Sequence, residues 1–204
     1  MTKKLLILGA GGHGKVVADI AKNCGYEDIA FLDDHKMVKT WAGYPVVGTA
    51  ADMQRYPDHE LIVAVGDASI RQRLTEQAEK MGMKIPVLVH PKAAVAEETT
   101  LGAGTVVMAG AVINPGATLG KGCIVNTCAS VDHDCVLGDF VHVSVGAHVA
   151  GTVTVGSRTW IAVGAGVINN LDICGDCMIG AGAVVVKPIT ESGVYIGVPA
   201  KRKK

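Results

Sequence analysis

The sequence predicts two unlike parts: an α/β half-Rossmann domain over residues 1–88 and an all-β parallel β-helix over residues 89–204. Three observations carry this expectation. Apolar runs alternate with helical patterns in the first part, and a glycine-rich turn, GAGGHG, joins the first such pair. The second part repeats every six residues without a break.

The elements of the first part follow in order. Residues 4–8 form a short apolar run of β formers ending in glycines, which suggests a buried strand feeding a tight turn. Val16, Val17, Ile20, Ala21 and Cys24 then fall at near-helical spacing, with Gly25 at the C-cap position. A second strand at 29–32 ends in Asp33 and Asp34, and a third at 61–65 ends in Gly66 and Asp67. Residues 68–81 have the charge pattern of an exposed amphipathic helix, and 85–89 close the segment as a fourth strand. Such alternation implies a parallel sheet whose ligand sits at the carboxyl ends of its strands. That places residues 9–14, Asp33, Asp34, Gly66 and Asp67 on one rim.

From Val89 to Val185 every sixth residue is Val, Leu or Ile, seventeen positions in unbroken register. Four places after most of them sits a small residue, as at Ala111, Cys123, Ala129, Cys135 and Cys177. A branched residue filling a narrow prism and a small one near its corner is the hexapeptide signature of a β-helix. Gly102, Gly120, Gly138, Gly156 and Gly180, each just after a branched residue, are expected to supply the turns.

Composition narrows the function. Nineteen basic residues balance nineteen acidic ones, so no global field draws the chain to nucleic acid or to an anionic membrane. No apolar stretch approaches the roughly 20 residues that span a bilayer, and no secretory leader is evident, so a cytoplasmic location without membrane insertion is expected. Six cysteines there need not be a disulfide framework. Cys123, Cys135 and Cys177 fall in small-residue core slots, where Cys acts as a small hydrophobe. Cys174-x-x-Cys177 has the spacing of a zinc pair, but no second pair or nearby His completes four ligands.

One hexapeptide reads VDHDCV, which puts Asp132, His133 and Asp134 at or near a corner. A His beside a carboxylate suits general-base chemistry, because the carboxylate fixes the tautomer and stabilises the imidazolium. A solvated polar turn fits the same residues. From spacing alone both readings stand.

The unbroken repeat resembles that of the left-handed β-helix acyltransferases. With GAGGHGK, FLDD, AVGDASIR, NTCASVDHDC and GVPAKR, the chain resembles the sialic acid O-acetyltransferase type family over residues 2–202, and within it the bacterial N-acetyltransferases of UDP-4-amino-4,6-dideoxy sugars. The resemblance implies left-handed coils, a homotrimer and acetyl-CoA as co-substrate, taken between neighbouring β-helices. His133 matches the family's catalytic base, and Asp134 stands where the family has an acidic residue, often Glu, that orients it. Asn126 matches a donor-binding site position of the motif, His142 matches one near the acetyl group, and Val163 and Ala181 match backbone contacts along the pantetheine arm. Gly11, Gly12, His13, Asp33, Asp34, Gly66 and Ser69 match the nucleotide-sugar pocket. Some trimeric β-helix enzymes share zinc between subunits through His, but His142 and His148 occupy successive faces and would point apart within one subunit, so no metal is expected.

The glycine motif then reads as a UDP cradle. A full dinucleotide fold needs two βαβαβ halves, and the residues before the repeat suffice for one, so NAD is not expected. Asp33 lies where a ribose-binding acid would sit, but the loop and helix N-terminus equally suit the pyrophosphate of a sugar nucleotide. The expected reaction is N-acetylation at the 4-amino group, with bacillosamine formation the favoured pathway. O-acetylation of a sialic acid and a non-catalytic nucleotide-sugar-binding trimer are the rivals. Covalent catalysis through Cys128 or Cys135 is disfavoured because Cys135 should point inward. The basic tail of Lys201, Arg202, Lys203 and Lys204 fits either CoA phosphates or solvent.

Overall fold

A computed structural model describes residues 2–35 and 38–203, so Lys204 lies outside the described residues. The chain divides into two compact units, Met1–Pro91 and Lys92–Lys204. No helix among the described residues is long and apolar enough to cross a membrane.

The first unit runs β1 (Lys3–Leu8), α1 (Gly12–Asn23), β2 (Tyr26–Leu32), β3 (Thr40–Trp41), β4 (Tyr44–Gly48), a 3-10 turn (Ala50–Arg55), β5 (Glu60–Val63) and α2 (Ala68–Lys80). The sheet order is β3-β4-β2-β1-β5, parallel except for the β3–β4 hairpin. Strands buried on both faces read as continuous apolar runs, and Leu5 to Leu8 are accordingly buried in full. Leu6, Leu8, Leu32, Leu61 and Val63 pack with Met53, Leu74 and Ala78 on one side of the sheet.

The fourth parallel strand is therefore Tyr44–Gly48, and the expectation for residues 85–89 is corrected. Pro86 interrupts that run and has no N–H to give a ladder, so only Leu88–Val89 is extended into a strand, outside this sheet.

The second unit is a left-handed parallel β-helix. Two-residue strands stack in parallel at intervals of 18 residues, as Ile124 opposite His142 and Ser130 opposite His148. Three flat sheets result: one from Ala94–Val95 to Val184–Val185, one from Thr100–Leu101 to Asp172–Ile173, and one from Val106–Val107 through Cys177–Ile179 to Gly193–Ile196. Lys201–Arg202 adds an antiparallel edge to the third. The branched and small positions both point inward, and Val131, Val143, Ala129, Cys123 and Cys135 are all fully buried.

The corner glycines behave differently from expectation. The left-handed backbone falls three residues after the branched positions from Leu101 to Ile179, at Gly104, Gly110, Gly116 and Gly122 but also at Cys128, Asp134, Phe140 and Arg158. Gly102, Gly120, Gly138, Gly156 and Gly180 lack positive φ and serve close approach instead. A Cβ on Gly156 would lie 2.2 Å from the Gly175 nitrogen in the next coil.

Candidate active site

In the first unit, the glycine motif divides into two jobs. Gly9 and Gly14 are packing positions, since a Cβ on Gly14 would lie 2.1 Å from the Gly9 carbonyl oxygen, whereas Gly11 and Gly12 face open space. Gly11 caps α1 with no side-chain partner, and the first turn carries no acid. The helix start thus presents N–H groups and the positive end of its dipole to an approaching anion.

The predicted acids hold this rim together. Asp33 accepts from the Ala10 N–H at 2.6 Å and from the His35 N–H at 2.9 Å, and Asp34 accepts from Ala50 at 2.8 Å. Asp33 therefore ties the end of β2 to the glycine loop. Gly66 and Ser69 sit at the start of α2, where Asp67 accepts from Ile70 N–H and Ser69 Oγ. Those bonds, Ser69's first, hold the Asp67 carboxyl below the usual carboxylate range.

Arg71 belongs to this rim although it was not among the expected site residues. Its side chain is buried, and one guanidinium nitrogen donates to the Val65 and Gly66 carbonyls at 2.9 and 2.8 Å. Burial, then the Arg71 charge, lowers the His13 pKa to about 4. His13 is neutral at pH 7, and its buried Nε2 has no hydrogen-bond partner among the described residues. Lys15 lies over the Trp41 ring at 4.3 Å, and Trp41 donates to the Gly11 carbonyl. The hairpin that carries Trp41 has no strong apolar signal in sequence.

In the second unit, His133 and Asp134 meet. His133 Nδ1 lies 2.8 Å from Asp134 Oδ2, and both side chains are more than half exposed. An ionised carboxylate only accepts, so Nδ1 carries the proton and Nε2 keeps the lone pair. Hydrogen bonding to Asp134 raises the His133 pKa above that of ordinary imidazole. Asp134 has φ of 57°, a left-handed corner that Asp tolerates better than most residues. Asp132 faces elsewhere, accepting from the Asn114 amide at 2.6 Å and the His133 N–H at 2.8 Å.

Asn126 and His142 form a second cluster on the third sheet. The Asn126 oxygen accepts from the Thr127 N–H, which turns its Nδ2 toward His142 Nε2 at 3.2 Å. The His142 ring stacks on Trp160, centroids 5.6 Å apart and planes within 3°, and Trp160 donates to Ser144 Oγ at 2.6 Å. Val163 and Ala181 sit one above the other on successive exposed corners, linked by the Gly182 N–H to the Val163 carbonyl. Between their corner and that of His133 runs an open groove of about 410 Å³, lined by Ser130, Asp132, His148, Ala150, Gly166 and Asn169. His148 lies on a different sheet from His142 and bonds Ser130 Oγ through Nδ1.

Cys135 points inward, its Sγ on the Ala150 carbonyl, and burial raises its thiol pKa. In the tail, Arg202 pairs with Glu191 at 2.7 Å and bonds the Ser192 carbonyl, so it is part of the sheet edge.

Comparison with known proteins places this geometry in context. The family model described as PglD N-terminal domain matches residues 4–78. The acetyltransferase domain of PglB from Neisseria gonorrhoeae FA1090, solved in complex with acetyl coenzyme A, is 42% identical with a TM-score of 0.96, all of each chain being covered. PerB from Caulobacter crescentus, solved with CoA and GDP-perosamine, is 39% identical with a TM-score of 0.95, covering 100% of this chain and 99% of that one. UDP-N-acetylbacillosamine N-acetyltransferase of Bacillus subtilis (strain 168) is 34% identical over 115 residues, 52% of each protein, so the matched stretch spans about half the length of that curated relative.

Proposed function

This chain belongs to the left-handed β-helix acetyltransferases, and from that premise we propose that it moves the acetyl group of acetyl-CoA onto the 4-amino group of a UDP-4-amino-4,6-dideoxy-N-acetyl-hexosamine. The product is a UDP-di-N-acetylated sugar such as UDP-N,N'-diacetylbacillosamine. The observation that carries the reading is the half-exposed His133 ring, made basic by the Asp134 carboxylate 2.8 Å from its Nδ1.

An amine attacks a thioester carbonyl only through its free lone pair, and its N–H becomes acidic as the C–N bond forms. His133 Nε2 takes that proton, and Asp134 balances the charge on the ring. The C–S bond then breaks, and the thiolate leaves as a thiol on taking up a proton. Buried Cys135 has no part in this direct transfer. Asn126 and His142 hold the acetyl end of the donor, and the peptide groups at Val163 and Ala181 follow its pantetheine arm. Gly11, Gly12, His13, Asp33, Asp34, Gly66 and Ser69 hold the nucleotide sugar, the open glycines letting the pyrophosphate approach backbone N–H groups. The same reading makes the protein a cytosolic homotrimer, with the donor taken between neighbouring β-helices.

The test is release of CoA thiol from acetyl-CoA, with the UDP-4-amino sugar, GDP-perosamine, a sialic acid or no acceptor, in wild type and His133→Ala. Turnover with the UDP-amino sugar that falls by roughly 10²- to 10⁴-fold in the variant is expected for loss of a general base. Equal turnover in the variant overturns the role of His133. Preference for the sialic acid moves the activity to O-acetylation, and silence with every acceptor favours a binding module.

A further inference from the structure

The coil that follows the dyad leaves a space that a side chain would fill. Gly151 stands 18 residues after His133, and the Thr152 N–H bonds the His133 carbonyl, so the two corners are stacked neighbours. A Cβ built on Gly151 would lie 2.4 Å from His133 Nε2, 2.6 Å from Cε1 and 2.9 Å from Cδ2. Gly151 itself has no positive φ, so its backbone is open to Ala. The space therefore answers to the imidazole ring and not to a turn.

On the other side of the dyad stands Gly116, a left-handed corner with φ of 77°. A Cβ on Gly116, 18 residues before Asp134, would lie 2.6 Å from Asp134 Oδ1, the carboxylate oxygen turned away from the ring. The two members of the pair thus rest against positions without side chains, one in each adjoining coil.

The geometry points to Gly151 as a positioning residue for the catalytic base: its missing side chain is what lets the His133 ring lie with Nδ1 on Asp134 and Nε2 free. The inference rests on the proposed role of His133. Ordinary contact begins near 3.4 Å, so a methyl group at 151 pushes the ring by about 1 Å. The ring is the mobile, exposed end of a side chain and yields at little expense to the fold, breaking its 2.8 Å bond to Asp134 as it turns. A displacement of that size costs a catalytic group about 10²-fold.

The experiment compares Gly151→Ala, His133→Ala and the double variant by steady-state CoA release with acetyl-CoA and the UDP-4-amino sugar, alongside thermal unfolding. The expected result is a kcat about 10²-fold down in Gly151→Ala, with KM for both substrates and the thermal midpoint held, and no further loss when the change is added to His133→Ala. A Gly151→Ala enzyme that keeps its kcat, beside an inactive His133→Ala enzyme, overturns the positioning role alone. A Gly151→Ala change that lowers residual activity or the midpoint equally in both backgrounds assigns the glycine to the coil stack and also overturns it. Unfolding confined to the background that keeps His133 means that the ring does not turn aside, and it overturns the positioning role. Full activity in His133→Ala removes the proposed base, and this inference with it.

Discussion

Acidification from pH 7.5 to 5.0 is expected to weaken the first unit by about 2 kcal/mol through a single residue, His13. Burial, with Arg71 nearby, lowers its folded pKa from 6.5 to about 4. As pH falls through 6.5 the unfolded chain takes up the proton and the folded one does not, so the loss of stability grows until the folded value is reached. Integrated over that window, the penalty is about 2 kcal/mol at pH 5 and about 3 kcal/mol below pH 4. The two tryptophans, Trp41 and Trp160, lie in separate units, and Trp41 bonds the glycine loop beside His13. In a Trp160→Phe background, urea unfolding followed by Trp41 fluorescence reads the first unit alone. His13→Gln should remove the pH-dependent part while leaving other contributions in place. Identical pH slopes in the two proteins would refute the reasoning, since they would mean that His13 is no less protonated in the folded state than in the unfolded one.

Two further outcomes follow from the second unit. Asp134→Asn removes the carboxylate that raises the His133 pKa, so the acid limb of kcat/KM should move to lower pH while kcat falls roughly 10- to 10²-fold, as read in pH profiles against wild type. Gly156→Ala drives a methyl group into backbone atoms of the next coil that cannot turn aside, at about 3 kcal/mol, whereas Gly182→Ala meets open space and bears only the roughly 1 kcal/mol of a left-handed alanine. Thermal midpoints should rank accordingly, and the reverse order would contradict the division of glycines between stacking and turning.

The β-helix was legible because its signal is redundant. Each of seventeen repeat positions carries the same instruction, and Val143 or Val155 could be placed from its neighbours alone. The first unit speaks once per element, so nothing in the sequence repeats the signal of the β3–β4 hairpin, and the apolar residues around Pro86 resemble a sheet strand. His133 was legible as a residue but not as a geometry. That Asp134, and not Asp132, is its partner depends on a φ of 57° and on Asn114 occupying the other acid. Arg71 had no signal in sequence beyond its place in AVGDASIR, because an arginine in an amphipathic helix reads as surface. Gly151 did have one: once the 18-residue stack is known, the residue above any corner can be read directly from the chain.

That regular stack makes residue number a cylindrical coordinate. The remainder on dividing by 18 fixes the azimuth around the axis, and the quotient fixes the height, with about 4.8 Å to each step. Lineages can therefore edit the protein like a ruler. Loss or gain of six residues would rotate everything beyond it by one face and part His142 from Asn126, while eighteen would keep every bearing and change only the span available to an elongated donor molecule.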